Sequence, residues 1–239
     1  MANEHNFSGK AQFYNSRPTY PQECIEYLVN KFGLSFNNVI ADVGAGTGTL
    51  TKPFLNMGCA AYAVEPNDDM FTELSKNLSQ YSNVILLKTS AEKTEIPENS
   101  CDAVVVGTAF HWFEKDKFRE ECNRILRGKK MVAILRISNN TDADKEIDKM
   151  RHYTEQDIQS AKEFFRDGFF EHIKFEYCEA FDEDRFINNL LSSATAPLPS
   201  DARFDDYVEK CRTVYSKHFE NGIAHLPFVV NCFVGSLDT

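Results

Sequence analysis

The sequence predicts an α/β protein, a doubly wound, Rossmann-like, mostly parallel seven-stranded sheet with a late helical insertion. Three observations carry that reading. Short β-rich runs alternate with helical patterns through the first half of the chain, as parallel strands joined by crossover helices require. The first buried run, Val39–Val43, ends in a glycine-rich bend from Gly44 to Gly48 that opens a helix. Late in the chain two more β-rich runs, 173–181 and 227–237, read as a closing pair of strands.

Each element has a local cause. Pro21 suits the first turn of a helix with Cys24, Ile25, Leu28 and Val29 on one face, and Gly33 suits its end. After the glycine bend, Leu50, Phe54 and Leu55 mark a helix that stops near Gly58. A second strand spans 60–65. Asn67 can cap a helix bearing Met70, Phe71, Leu74 and Leu78. Strands over 84–88 and 103–110 follow, then a helix marked by Phe118, Cys122, Ile125 and Leu126, then a fifth strand over 130–137.

Beyond Ile137 the stretch 139–148 is polar and reads as a loop entering a helix towards Phe165. Helical stretches over 186–191 and 207–219 flank the loop Ala196-Pro197-Leu198-Pro199. No repeat or linker interrupts the chain. The expected organisation is one domain over 1–239: a lid or strap with its helix (1–35), a ligand-binding core (36–137), and closing strands with the insertion (138–239).

Composition narrows the function. The 42 % apolar and 26 % charged content is that of an ordinary globular protein. A formal charge of −10 repels a phosphate backbone, so no nucleic-acid partner is expected. The densest basic cluster, Gly128-Lys129-Lys130 with Arg124 and Arg127, reads as the cationic last turn of a helix. Asp182-Glu183-Asp184 reads as a solvated acidic patch. Seven scattered cysteines, never spaced Cys-x-x-Cys, argue for a reducing compartment. Residues 1–10 lack the apolar run of a signal peptide, and the longest apolar run, 103–106, is far too short to span a bilayer. The expectation is a cytoplasmic protein with no membrane partner. His5, His111, His152, His172, His218 and His225 show no His-x-x-x-His pairing, so no metal site is expected.

The informative stretch is Ile40-Ala41-Asp42-Val43-Gly44-Ala45-Gly46-Thr47-Gly48. Alternating glycines at the end of a strand let a ligand approach the backbone, and the amides of the helix that follows can hold an anionic group. The alternative is a plain chain reversal. The spacing Gly-x-Gly-x-Gly differs from the dinucleotide pattern Gly-x-Gly-x-x-Gly, and no Gly-Lys-Ser/Thr follows for a nucleoside triphosphate. Glu65 ends the second strand, where a carboxylate can accept from both ribose hydroxyls of a nucleoside ligand. Alone, Glu65 would read as a solvated strand-end charge; paired with the loop, it reads as a ligand contact.

With these residues in place the chain resembles the class I S-adenosylmethionine-dependent methyltransferases, in the type 11 branch that is similar to ubiquinone-biosynthesis and trans-aconitate methyltransferases. The resemblance runs from Phe7 to about Ile137 and more loosely to Leu237. It implies S-adenosylmethionine as cofactor and S-adenosylhomocysteine as product. By that resemblance Asp42, Gly44, Ala45, Gly46, Thr47 and Gly48 pack against the methionine part, Glu65 holds the ribose, and Pro66 and Met70 flank ribose and adenine. Thr89-Ser90 stands where Gly-Asp is common, so the adenine contact passes to the Ala91 amide or to Glu92, with Ser90 beside them. A helix cap with its first-turn acid is the other role open to Ser90 and Glu92.

Methyl transfer from a sulfonium is an in-line displacement that needs positioning, exclusion of water and sometimes a base. Gly107-Thr108-Ala109-Phe110-His111-Trp112-Phe113 follows the fourth strand, where open α/β sheets bind ligands. A similar stretch lines the cofactor and acceptor pocket in the resembled branch. His111 is the candidate catalytic residue, as base or as acceptor-orienting group, its other role being structural. By the same resemblance Thr108 is a cofactor contact, while Phe110 and Trp112 line the acceptor surface, with plain packing as the favoured role of Trp112. Phe7-Ser8-Gly9-Lys10-Ala11 with Tyr14, Arg17-Pro18 and Tyr20-Pro21 resembles a family lead-in that forms a lid; the alternative is a strap packed on the sheet. Ser192 belongs to the insertion, where relatives vary to select acceptors.

The expected function is methyl transfer to a small-molecule acceptor, an organic acid or hydroxylated metabolite. The alternatives are an NAD-dependent oxidoreductase, disfavoured by the glycine spacing, and a non-catalytic methyltransferase-like binding protein. Oligomeric state leaves no mark in the sequence.

Overall fold

The computed structural model describes residues 8–139, 141–147, 154–166, 169–219 and 222–238. Phe7, His5, His152 and the stretch 148–153 leading into the expected late helix lie outside the described residues.

In chain order the elements are α1 (Ala11–Tyr14), α2 (Gln22–Phe32), β1 (Val39–Val43), α3 (Thr51–Asn56), β2 (Ala60–Val64), α4 (Asp68–Leu78), β3 (Val84–Leu87), β4 (Cys101–Gly107), a 3-10 turn (Phe110–Trp112), α5 (Lys115–Ile125), β5 (Leu126–Ser138), α6 (Asp142–Ile147), α7 (Thr154–Phe165), β6 (Phe170–Phe181), α8 (Glu183–Leu191), α9 (Phe204–His218) and β7 (Ala224–Ser236). The sheet has seven strands in the order β3-β2-β1-β4-β5-β7-β6. Strands β1 to β5 pair in parallel, and β7 lies antiparallel to both β5 and β6. The expected α/β class and the closing strand pair are present.

Alternation along each strand divides the apolar residues between two faces. Ile40, Ala61, Ala63, Ala103 and Val105 lie under α2, α3 and α4. Ala41, Val43, Val104, Val106, Val132 and Ile134 lie under α5 and α7, where Phe118, Cys122, Phe164 and Phe165 are buried. A third core joins α6, α8 and α9 to the far ends of β6 and β7 through Phe186, Leu191, Tyr215, Leu226 and Phe228. This is the expected insertion. Pro227 is tolerated inside β7 because the β5 register runs no further than Val229, so its missing N–H faces no partner on that side.

Several local expectations change. The fourth strand stops at Gly107, and Phe110–Trp112 forms a 3-10 turn instead of strand. Of the basic cluster only Arg124 sits in the last turn of α5. Residues 127–130 already belong to β5, and Arg127 forks onto both oxygens of Asp102 at 2.8 Å each. The polar stretch after Asn139 contains α6, a short helix where a loop was expected, with Ala143 and Ile147 in the third core. Asp182 is not simply solvated: its carboxylate caps α8 by accepting from the Arg185 amide at 2.8 Å. Asn67 caps α4 as its position predicts, accepting from the Asp69 and Met70 amides at 3.1 Å.

The core under α5 is held by aromatic rings. Phe118 is fully buried, with ring centroids at 4.8 Å to Phe113, 5.5 Å to Phe164 and 6.3 Å to Phe110. Phe118→Ala is expected to cost about 3–5 kcal/mol in urea unfolding, with an unchanged m-value. A loss below about 1 kcal/mol would show that the neighbouring rings close the gap.

Candidate active site

The strand order reverses between β1 and β4, which opens a crevice at their carboxyl ends. Three connections reach it: the glycine bend after β1, Glu65 to Asn67 after β2, and residues 108–113 after β4.

Gly44, Gly46 and Gly48 all hold left-handed φ, at 74°, 57° and 88°. Their roles differ. A Cβ on Gly44 would stand 2.5 Å from the Cβ of Ala109, and one on Gly48 would stand 3.0 Å from a Leu74 methyl, so both serve the protein's own packing. On Gly46, among the described residues, a Cβ would meet only Tyr14, at 3.8 Å. Gly46 is where the bend lies open. The Gly44 and Ala45 amides are committed to the Val64 carbonyl at 2.9 Å each, which pins the bend to β2.

Glu65 faces this bend and is 8 % exposed. Its Oε2 accepts from the Gly46 amide and its Oε1 from the Asn67 amide, each at 2.9 Å. Burial raises its pKa and the two amides oppose that rise. A carboxylate has about four acceptor directions, so two remain. Asp42 is wholly buried one strand over. Its Oδ2 accepts from the Thr51 hydroxyl at 2.6 Å, while its Oδ1 and the Thr47 Oγ1 have no partner among the described residues. Burial, with the Glu65 charge acting in the same sense against the Thr51 hydrogen bond, pushes the Asp42 carboxyl up to about 7.

The N-terminal segment lies across the crevice. Tyr14 packs on Gly46, and the Arg17 guanidinium stands over the Tyr14 ring at 4.1 Å. Arg17 donates from Nε to Ser192 Oγ at 2.8 Å and from Nη2 to the Ser192 carbonyl at 3.0 Å. Tyr20 crowds Gly107, where a Cβ would lie 2.5 Å from its hydroxyl, and that hydroxyl is 3.5 Å from Thr108 Oγ1. The Gly9 amide donates to Asp69 at 2.6 Å, and the buried Lys10 ammonium donates to the Ala196 carbonyl. The segment lies across the crevice and is tied down on both sides. Ser192 is fully buried and receives Arg17.

On the β3 side Ala91 is buried in the same core as Val43 and Val64, with Pro66 half-buried and Met70 buried nearby in sequence. Ser90 caps no helix; it forms an isolated bridge with Lys93, and Glu92 accepts from the Glu114 amide at 2.9 Å ahead of α5. The helix-cap role is thereby excluded, because the chain turns instead of coiling there.

Beyond β4, Thr108 holds a left-handed φ of 55°, and its amide donates to the Leu135 carbonyl at 2.8 Å. Phe110 points into the aromatic core. Trp112 is half-buried with its ring 4.6 Å from the ring of the exposed His111. His111 Nδ1 lies 3.0 Å from Arg136 Nη1. Burial of its inner edge, then the charges of Arg136, Arg17 and Lys115, lower the imidazole to about 4. A small cavity of about 20 Å³ lies here, room for about one water, lined by Thr108, His111, Arg136, Asp157, Ser160 and Phe233 among others. Arg136 and Asp157 are absent from the sequence reading. Arg136 had a signal, as the one charge within the otherwise apolar run 131–137; Asp157, on a polar helix, had none.

A reversed parallel sheet, an open glycine bend and a buried carboxylate facing it across β1 and β2 define the class I methyltransferase architecture. Residues 41–134 of this chain match the methyltransferase domain of the type 11 branch. An uncharacterized methyltransferase of Mycobacterium tuberculosis is 36 % identical over 120 residues, 50 % of this chain and 46 % of that protein. The chain thus spans about half the length of that relative. A solved structure from Anaeromyxobacter dehalogenans, provisionally named a type II methyltransferase, has the same fold with a TM-score of 0.65 at 17 % identity, covering 92 % of this chain and 98 % of that one. Phosphoethanolamine N-methyltransferase 2 of Haemonchus contortus, solved with phosphomonomethylethanolamine and S-adenosylhomocysteine, shares the fold at TM-score 0.55 and 15 % identity, over 98 % of this chain and 58 % of that one.

Asp42 has a consequence for stability. Its ordinary value is 3.8 and its folded value is about 7, so between these the native state keeps a proton that the unfolded chain has lost. Stability from this group therefore falls as pH rises from about 4 to about 7. Urea midpoints across that window should drop less in Asp42→Asn than in the unaltered chain; parallel drops would mean the carboxyl is ionised throughout.

Proposed function

We propose that this chain transfers the methyl group of S-adenosylmethionine to a small-molecule acceptor, an organic acid or a hydroxylated metabolite, and releases S-adenosylhomocysteine. The observation that carries this reading is the buried Glu65 carboxylate held 2.9 Å from the amide of Gly46, the open position of the bend.

The residues fit the cofactor. Glu65 keeps two acceptor directions for the paired ribose hydroxyls. Gly46 admits a ligand to the backbone, and the unpaired Asp42 Oδ1 and Thr47 Oγ1 offer polar partners beside it. Burial keeps the Asp42 carboxyl protonated to about neutral pH, so it can donate as well as accept. Ala91, with Ser90 and Glu92, and Pro66 with Met70 border the adenine side. When bound, the cofactor supplies a methyl group on a sulfonium, open to in-line attack. The chain's part is positioning and exclusion of water. Tyr14, Arg17 and Tyr20 cover the site, and Thr108, Phe110, His111 and Trp112 form the acceptor side. The match of residues 41–134 to the methyltransferase domain supports the activity.

Calorimetric titration with S-adenosylhomocysteine tests the reading, and folded protein that shows no binding refutes it. Glu65→Ala is expected to weaken that binding by about 1–3 kcal/mol, since buried ribose hydroxyls would lose their acceptor. A loss below about 0.5 kcal/mol would place the ribose elsewhere.

A further inference from the structure

Strand β5 ends by delivering one charge to the acceptor side. Arg136 there spans two elements: its Nη1 lies 3.0 Å from His111 Nδ1 after β4, and its Nε lies 3.4 Å from Asp157 Oδ2 on α7. The Arg136 and Asp157 side chains are each 17 % exposed, so the pair is shielded enough to hold its geometry. A guanidinium can only donate. The Nδ1 facing it is therefore an acceptor, and a neutral imidazole in that tautomer carries its proton on Nε2. Protonating Nδ1 would set an N–H against a cation.

The groups around the ring favour the same state. Arg17 from the N-terminal segment, Lys115 from the start of α5 and Arg136 from β5 all act on His111 as positive charges. Asp157 is the acid set against them, itself influenced by Arg136 and by His172 of β6. Ser160 and Thr108 complete the polar lining. Among the described residues the other carboxylate on this side, Asp157, is committed to the Arg136 guanidinium. Burial raises the phenols of Tyr14 and Tyr20 above their ordinary range, and Asp42, which burial also raises, is engaged with Thr51.

We propose that Asp157 and Arg136 are positioning residues that hold His111 as an Nε2–H donor, and that the methyl acceptor is an oxygen already anionic on entry, a carboxylate. This rests on the methyl-transfer reading above and narrows it. An alcohol, a thiol or a carbon acid would have to give up a proton, and His111 in this state cannot receive it. An amine enters mostly as an ammonium ion and meets three cations. A carboxylate meets those cations favourably and can accept from Nε2–H. One of its oxygens forms the bond to the methyl carbon as the methyl–sulfur bond breaks. The electron pair stays on sulfur, the product is a methyl ester, and no proton moves.

The test uses the full chain saturated with S-adenosylhomocysteine, with binding first verified by calorimetry. Long-range proton–nitrogen NMR, assigned with His111→Gln, is expected to show Nε2 protonated and Nδ1 bare, with no titration from about pH 8 to about pH 5. In Arg136→Gln the ring should titrate at a higher pH than in the unaltered chain, while burial and the Arg17 and Lys115 charges still hold it below the ordinary imidazole range. A protonated Nδ1, or ordinary titration in the unaltered chain, overturns the positioning role. Methyl-labelled S-adenosylmethionine is then offered with succinate, fumarate and tricarballylate, and with 1,4-butanediol and 1,4-butanediamine. Methyl esters are expected, at a kcat flat from about pH 6 to about pH 9, since no proton leaves. Asp157→Asn and Arg136→Lys should lower kcat about 10- to 100-fold while the Kd for S-adenosylhomocysteine stays the same. His111→Gln, which keeps a donor, should retain more turnover than His111→Ala. Methylation of the diol or diamine, or of no acid by protein that binds S-adenosylhomocysteine, overturns the carboxylate assignment and leaves the cofactor reading standing. Absence of that binding defeats the cofactor reading itself and the carboxylate assignment with it.

Discussion

A buried carboxylate that faces a backbone with no side chain is the constraint on which the rest of the structure depends. Taking Glu65 out of water is costly unless donors replace the solvent. The Gly46 and Asn67 amides do so from the two loops that flank the crevice. The bend can bring the first of those amides into place only with left-handed φ at Gly44, Gly46 and Gly48, which side chains would strain. Folding thus leaves an acceptor and an open stretch of main chain facing each other at the point where the sheet reverses.

The N-terminal segment converts that point into an enclosed space. It reaches across to α4 through Gly9 and Asp69, and to the insertion through Lys10 with Ala196 and Arg17 with Ser192. Thr19 adds a third tie by donating from amide and hydroxyl to Glu179 of β6, at 2.7 Å each. These ties join residues 60 to 186 positions apart, so the segment acts as a bridge between α4, the insertion and β6. Its aromatic residues serve twice, Tyr14 over Gly46 and Tyr20 over Gly107.

Charge is arranged against the bulk composition. The chain carries −10 overall, and the buried Glu65 carboxylate beside the glycine bend extends that sign into the crevice, while burial pushes the Asp42 carboxyl up to about 7. On the β4–β5 side the sign inverts, with Arg17, Arg136 and Lys115 acting on His111. The two halves of one crevice therefore favour opposite charges. That division separates a region that favours cations from one that favours anions.

Much of this was legible in the chain. The alternation of apolar residues gave away the strands, because a strand buried on both faces needs nearly every position apolar. The bend and Glu65 were legible because few residue types can do what those positions require. The 3-10 turn after Gly107 and helix α6 were not, since each is settled by packing against neighbours and not by its own periodicity. The contact of Arg136 with His111, and of both with Asp157, was invisible for a stronger reason. Residues 25 apart in sequence meet there because β4 and β5 are neighbours in the sheet and α7 covers them. The sequence by itself determined the layered fold and the meeting of the glycine bend with Glu65, where short-range chemistry dictates each residue. Only the tertiary structure decided the grouping of His111, Arg136 and Asp157, because strand order and helix packing choose which distant charges share one small volume.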